Sequence, residues 1–464
     1  MEETKRSLLR LCEWGKVSVD HLSYSQRHQI SQAVSSWAST AGLSDLPLEF
    51  SGPSGSELSA RQHVGVVEVE DCTIEVYPKL DAQFLSSDTL DSWQSTDMVM
   101  GNLLWMLEVC GYMDLTEADS AHLAETSVCF YDLFAYLMAK NLREELSRGV
   151  QHAYIPLEGD LQAVRGRIRL LDQTTRNWNR HDRISCNWDE FSTDIALNRI
   201  FKCVCQLLQS RVSNLATAQF LESCCTMLSE AAHIDPELAL REALSLRWNR
   251  SNDRFKRCFD MAVKLLAGTG YHLGHGLNDT FVFLLDMNAL FETYTEIILQ
   301  YHLGVPIEVQ KIVGHLFESP GRYIQQVPDF IWRTSDYLWI GDAKYKHLAA
   351  GQVDAAAFDI EERSTANGKA TKRADRLLVP NDVRQLTVYA EILRKNNGLT
   401  YPPPIAILYP FVGAGTFRAS EAVAWNGSPF WLVPVQVKRL HDLSDAIPRF
   451  MANTSLLGRS VHEH

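Results

Sequence analysis

No apolar run of about 18 residues, the shortest that crosses a bilayer as a helix, occurs in the chain, so no membrane span is expected. The chain also has no C-x-x-C pair. Its ten cysteines are scattered, and the adjacent Cys224-Cys225 falls in a helical pattern, which points to buried thiols in a reducing compartment rather than to zinc ligands or disulfides. The first residues, Met1-Glu2-Glu3-Thr4-Lys5-Arg6, are acidic before they are basic and lack an apolar h-region, which argues against secretion and for the cytoplasm. No G-x-x-x-x-G-K-[ST] sequence is present, so any nucleotide dependence has to come from a partner. Basic excess is missing too: 44 Lys and Arg stand against 57 Asp and Glu, a net charge of −13. Phosphate contacts dominate non-specific DNA affinity, so a DNA-acting chain of this charge needs local basic clusters or a partner that supplies most of the grip.

What is present is ordinary globular material: 464 residues, 46% hydrophobic and 22% charged, enough for about three domains. The pattern reads as a multidomain α+β and α/β chain. Residues 1–125 form a β-rich N-terminal domain, 126–268 a mainly helical middle domain, and 269–464 a C-terminal domain with a mixed sheet. In the first, residues 8–14 and 25–41 carry partly helical apolar spacing, 51–55 is a loop, and 63–69 and 73–76 read as strands joined at Glu70-Asp71. Residues 97–112 follow as an amphipathic helix. In the second, 129–146, 195–208 and 237–244 are helical, and Gly149 ends the first of these. Arg254, Lys256, Arg257 and Lys264 make a basic face of the kind that is usually just solvated.

The densest chemistry lies at Val327-Pro328-Asp329-Phe330 and Ile340-Gly341-Asp342-Ala343-Lys344. Residues 325–332 and 337–344 are rich in β-branched and aromatic side chains, and the polar Arg333-Thr334-Ser335-Asp336 between them is a turn signal. A two-residue loop at Ser335-Asp336 puts Asp329 directly opposite Asp342. Asp342 and Lys344, two apart, leave the same face of their strand, and Ala343 leaves its carbonyl near the same edge. Two carboxylates that close raise each other's pKa unless a cation intervenes, and hard oxygen donors of this kind suit Mg²⁺. Lys344 could then hold or deprotonate water, or neutralise charge on a phosphate. An ordinary solvated hairpin with a Lys344 salt bridge would carry the same Asp-x-Lys tripeptide. The Pro-Asp in the preceding strand and the apolar strand cores favour the functional reading.

Pro328-Asp329 followed by Asp342-Ala343-Lys344 resembles the PD-(D/E)xK nuclease signature, and the run Asp342 to Lys346 resembles its McrC branch. McrC is the nuclease subunit of the McrBC system, which restricts DNA containing modified cytosine. Three further stretches are similar to the same family: the strand pair "VGVVEV" and "IEVYPKL", the segment from Tyr154 through Arg165-Gly166-Arg167-Ile168 to Lys202, and "DMNALFE" from Asp286. The resemblance implies a restriction-endonuclease-like C-terminal domain, an N-terminal part that docks on a hexameric AAA+ GTPase and stimulates it, and Mg²⁺-dependent cleavage of DNA in antiviral defence. It implies that Glu292, on a helix that Asp286 caps and Gly304 stops, adds a third acid to Asp329, Asp342 and the Ala343 carbonyl. It also implies that Gln385 and Tyr389, one turn apart on a helix over 382–395, orient the scissile phosphate or Lys344.

Basic residues divide more evenly. Arg165 and Arg167 could clamp phosphates or pair with Asp189, Glu190 and Asp194, and for Asp189 and Asn198 a structural role at the start of a helix is favoured. Lys346, with Lys369, Lys372 and Arg373 in the polar stretch 361–376, could contact the DNA backbone, though a solvated insertion looks the same. Two other classes stay open: a non-cleaving NTPase activator, and a DNA-binding scaffold, each with a vestigial metal site.

Overall fold

The computed structural model describes residues 7–69, 72–80, 101–112, 130–212, 214–267, 280–315, 324–334, 337–345, 380–411 and 420–438. The first sheet forms from β1 (Ser7–Cys12), β5 (His63–Val69), β6 (Cys72–Tyr77) and β10 (Thr280–Asp286), in the order β1-β6-β5-β10. A small sheet of β2 (Lys16–Ser18), β3 (Leu48–Ser51) and β4 (Glu57–Ala60) adjoins it. Residues 8–12 are therefore strand rather than partly helical. Their apolar positions Leu9 and Leu11 alternate, and both are buried. Helix α1 (Tyr24–Thr40) starts at a Ser23/Gln26 capping box. Its Ile30, Ala33 and Val34 cover one face of the first sheet, packing with Leu9, Leu11, Val67, Ile74 and Val282.

The opposite face of that sheet turns Val64, Val66, Phe281 and Phe283 into the largest core. A sheet buried on both faces explains why "VGVVEV" is nearly continuous in apolar residues. Gly65 has φ +143°, and a Cβ there would stand 2.0 Å from the Phe283 carbonyl oxygen, so β5 and β10 can lie this close only with glycine. The pairing of β5 with β10 joins chain from the first and third stretches in one sheet.

The middle stretch supplies the helices of that core, together with α2 (Gly101–Val109): α3 (Phe130–Ser147), α5 (Ala196–Gln209), α6 (Leu215–Met227), α7 (Pro236–Ser245) and α8 (Lys256–Ala267). It also holds a sheet that helical periodicity did not announce. Strands β7 (Ala153–Leu161), β8 (Arg167–Ile168) and β9 (Ile184–Ser192), with the short α4 (Leu170–Thr175), leave Tyr154, Leu171, Trp178 and Phe191 exposed. Asp189 thus lies on a strand and not at a helix start. Asn198, buried in α5, donates to the carbonyls of Gln151 and Thr193, a structural role. All nine cysteines among the described residues are unbridged. None of the helices among those residues is long and apolar enough to cross a membrane.

The last unit is a mixed six-stranded sheet, β11-β14-β15-β16-β18-β17, made of β11 (Ile307–Val309), β14 (Phe330–Arg333), β15 (Leu338–Ala343), β16 (Ile405–Phe411), β17 (Ser420–Val423) and β18 (Pro429–Gln436). Short strands β12 (Gly314–His315) and β13 (Gln325–Gln326) pair beside it. Helix α9 (Met287–Leu303) covers one face with Phe291, Tyr294 and Ile298 against Phe330, Trp339 and Leu408. Asp286 caps it by accepting from the Asn288 and Ala289 N–H groups, and Gly304 closes it in the left-handed region. Helix α10 (Pro380–Asn396) covers the other face with Leu386, Tyr389 and Leu393 against Ile331, Ile340 and Ile407.

Gly341 sits on the α9 face, where a Cβ would meet Trp332 at 2.6 Å and Phe330 at 3.2 Å. Trp332 is held in turn by its stack on Trp339, with ring centroids 5.7 Å apart. Gly341→Ala is expected to lower stability by about 1–3 kcal/mol through overpacking, read as an earlier urea midpoint at unchanged slope.

Candidate functional site

The hairpin that carries the acids takes the register its turn implies. Phe330 pairs with Gly341 and Arg333 with Leu338, and the Thr334 N–H donates to the Tyr337 carbonyl at 2.9 Å, so the next pair outward is Asp329 with Asp342. Pro328 cannot donate to a ladder, and β14 accordingly begins only at Phe330. The strand period then assigns faces. Ile331, Leu338 and Ile340 belong to the core under α10, so Asp329, Asp342 and Lys344 emerge on that same side at one end of the hairpin.

The site is compact and dehydrated. Asp342 is 7% exposed, and its Oδ2 lies 2.8 Å from Lys344 Nζ. Asp329 Oδ2 accepts from the Ala343 backbone N–H at 2.8 Å, so Ala343 contributes a donor as well as the carbonyl singled out from sequence. Burial, the Asp342 charge and, more weakly, Glu292 push the Asp329 carboxyl up to about 7. Burial also raises Asp342, against the pull of Lys344, and Asp382 adds to the rise. Burial opposes the charge on Lys344, but Asp342, Asp382 and Asp329 together hold its pKa above the usual lysine value.

Glu292 is on α9, the helix of the opposite face, and reaches the hairpin at its edge. It accepts from Gln310 Nε2 at 2.8 Å, and the Gln310 N–H donates to the Asp329 carbonyl at 3.0 Å. Gln385 and Tyr389 are hydrogen-bonded to each other on α10, and Tyr389 is buried in the core with Ile331 and Ile340 of the hairpin. One charged group was missed. Asp382 shares the helical face of Gln385 and Tyr389 at positions i, i+3 and i+7, and that spacing was the available signal.

The basic residues separate from this cluster. Arg165 and Arg167 belong to the β7-β8-β9 sheet. Arg165 pairs with Glu190 at 3.5 Å and lies over the Trp188 ring, while Arg167 is exposed on β8. Neighbouring arginines are paired as well: Arg169 with Glu158 and Asp172, and Arg183 with Asp182. Lys346, Lys369, Lys372 and Arg373 lie outside the described residues.

Two facing carboxylates, both held above their ordinary range, with Lys344 as the cation on Asp342 Oδ2, form a hard-oxygen donor set that a divalent cation would relieve. Among the described residues no group of three or more His, Cys, Asp or Glu side chains is already gathered as a metal cage. A small ion that keeps several waters fits two carboxylates without one.

A family model described as McrBC 5-methylcytosine restriction system component matches residues 58–362. Among solved structures, a chain of the refined half-complex from the tetradecameric assembly of Thermococcus gammatolerans McrB AAA+ hexamers with bound McrC superposes with a TM-score of 0.65 at 17% identity, over 97% of this chain and 100% of that one. A chain of the Thermococcus gammatolerans McrBC complex gives 0.48 at 19% identity, over 64% and 88%. No curated protein matches.

The strained acid pair has a pH signature. Below 3.8 Asp329 is protonated folded or unfolded; between 3.8 and about 7 the folded protein keeps a proton that the unfolded chain gives up, so this residue's contribution to stability falls as pH rises and is lost above about 7. Asp329→Asn, which keeps an acceptor for the Ala343 N–H, is expected to stabilise the metal-free protein at pH 8 by up to about 4 kcal/mol and to have little effect near pH 4. Denaturant melts of both proteins across that range measure the difference.

Proposed function

Because the chain belongs to the McrBC 5-methylcytosine restriction system component family, we propose that it is the DNA-cutting subunit of a modification-dependent restriction system. The reaction is Mg²⁺-dependent hydrolysis of a phosphodiester in DNA containing modified cytosine. A hexameric AAA+ GTPase is the partner, which this chain also stimulates. The observation that carries the reading is the meeting of Asp329, Asp342 and Lys344 at one buried hairpin end.

Asp329 and Asp342 would hold the ion, with the Ala343 carbonyl and, from the hairpin edge, Glu292. Bound there, Mg²⁺ supplies Lewis-acid polarisation of a phosphate oxygen and lowers the pKa of a bound water. The protein's own groups do the rest. The pKa of Lys344 is raised in the company of three acids, so it keeps its proton and suits neutralising phosphate charge better than abstracting a proton. The Ala343 N–H fixes one Asp329 oxygen and turns the carboxylate toward Asp342. Gln385, whose amide donates to Tyr389, is exposed on α10 and would orient a phosphate through its remaining polar atoms. Burial of Asp342 excludes water from one side of the pair, which strengthens every charge interaction in the site.

The net charge of −13 fits a subunit whose hold on DNA comes mainly from its partner. The arginines around β8, largely paired with acids, fit that division as well.

DNA cleavage with Mg²⁺, the partner NTPase and its nucleotide tests the reading. Asp342→Ala and Lys344→Ala are each expected to lower the cleavage rate by at least about 10²-fold, with NTPase stimulation retained. Cleavage at the wild-type rate in both variants would leave the chain as the activator, with the cutting done elsewhere.

A further inference from the structure

The proposed site is not self-contained. Lys344 follows the last residue of β15, and its backbone N–H donates to the Leu408 carbonyl at 2.8 Å. One residue on, the Tyr345 carbonyl accepts from Lys79 Nζ at 2.9 Å, and the same amine sits 4.4 Å from the centroid of the Tyr345 ring. Lys79 comes from the other end of the chain, two residues beyond β6 in the first sheet. Tyr345 is buried, with its ring 5.8 Å from Phe291 of α9.

Lys79 is itself held. Its backbone N–H donates to Glu13 Oε1 at 2.9 Å, and Glu13, 3% exposed just past β1, is tied to the sheet by its own N–H on the Tyr77 carbonyl at 2.9 Å. The β1–β6 pair is parallel, so Glu13 and Lys79 leave the sheet at the same edge. That edge faces the hairpin end where Lys344 stands.

We infer that Lys79 is a positioning residue for the hydrolysis: by clamping the Tyr345 carbonyl from the N-terminal sheet, it sets the backbone from which Lys344 reaches Asp342. The inference rests on the reading of Lys344 as part of the reacting site. Lys344 is bracketed by a backbone hydrogen bond from its own N–H and a side-chain-to-backbone hydrogen bond on the carbonyl of the next residue, Tyr345. One comes from inside its own sheet and the other from the N-terminal sheet, so the geometry of the amine depends on both units being docked. A charged donor on a carbonyl is stronger than a neutral one, and a displacement of about 1 Å in a reacting group costs on the order of 10²-fold in rate.

The test uses the full chain with its partner NTPase, Mg²⁺ and DNA. Lys79→Met is expected to lower kcat for cleavage by about ten- to a hundredfold, with KM for DNA and NTPase stimulation unchanged and a melting curve that stays cooperative, shifted down only by the lost contact. Lys79→Arg, which keeps a charged donor, recovers part of the loss. Independently of activity, amide exchange at Lys344 and Tyr345 quickens in Lys79→Met while the core strands β5 and β16 stay protected. Wild-type kcat together with unchanged exchange would overturn the inference. So would a loss accompanied by raised KM or broad deprotection, which marks Lys79 as a structural support only. Should the methionine variant not fold, Lys79→Gln, a neutral donor of similar reach, is read by the same criteria. Failure of the site itself is separable, because it appears as cleavage surviving in Asp342→Ala and Lys344→Ala whatever Lys79 does.

Discussion

Two carboxylates held face to face at the buried end of a hairpin are the constraint on which the site depends. Asp329 and Asp342 come together because a ladder running from Arg333–Leu338 to Phe330–Gly341 leaves them no other place. Nothing in water would bring them there: burial first and the Asp342 charge second push Asp329 up to about 7, so the pair is unfavourable alone. A fold keeps such a pair only if the surrounding packing over-determines the hairpin. Here it does, through Trp332 stacked on Trp339 below and Ile331 and Ile340 under α10 above.

The rest of the C-terminal sheet follows from serving that hairpin. Strand alternation in the hairpin sends Phe330, Trp332 and Trp339 to the α9 face and Ile331, Leu338 and Ile340 to the α10 face, and a helix packs on each side of the sheet. The acids share the α10 side, which is why Asp382 and Gln385 lie over them, and Glu292 on the opposite helix reaches the pair only around the edge. Among the links that join the first sheet to this unit are β10 running directly into α9 and Lys79 on Tyr345. Both links end within a few residues of a charged group of the site.

Much of this was legible from local signals. Asp286 as a helix cap, Gly304 as a stop and the strand at residues 63–69 are positions where one residue type does one physical job, and the bounds agree closely. The acid pair was legible because a turn length and a period of two fix a register. What failed lacked such a signal. Residues 8–12 are short and flanked by polar positions, so their alternation could pass for helical spacing. The β7–β9 strands mix Tyr, Pro, Glu and Asp on faces exposed to solvent, and no apolar stripe marks them. Lys79 on Tyr345 spans 266 positions, and no local pattern encodes a contact of that range.

The exposed β7-β8-β9 sheet and the acid hairpin also divide the chain's charge. Around β8 the arginines are mostly matched by Glu158, Asp172, Asp182 and Glu190, while Tyr154, Leu171, Trp178 and Phe191 stay exposed. A surface built to grip phosphates would present its cations unmatched. At the hairpin Asp329, Asp342 and Asp382 gather around Lys344, a setting that favours a cation over a further anion. With the described arginines around β8 largely committed to acids, the charge of that face fits the proposed function, in which a partner supplies the hold on DNA.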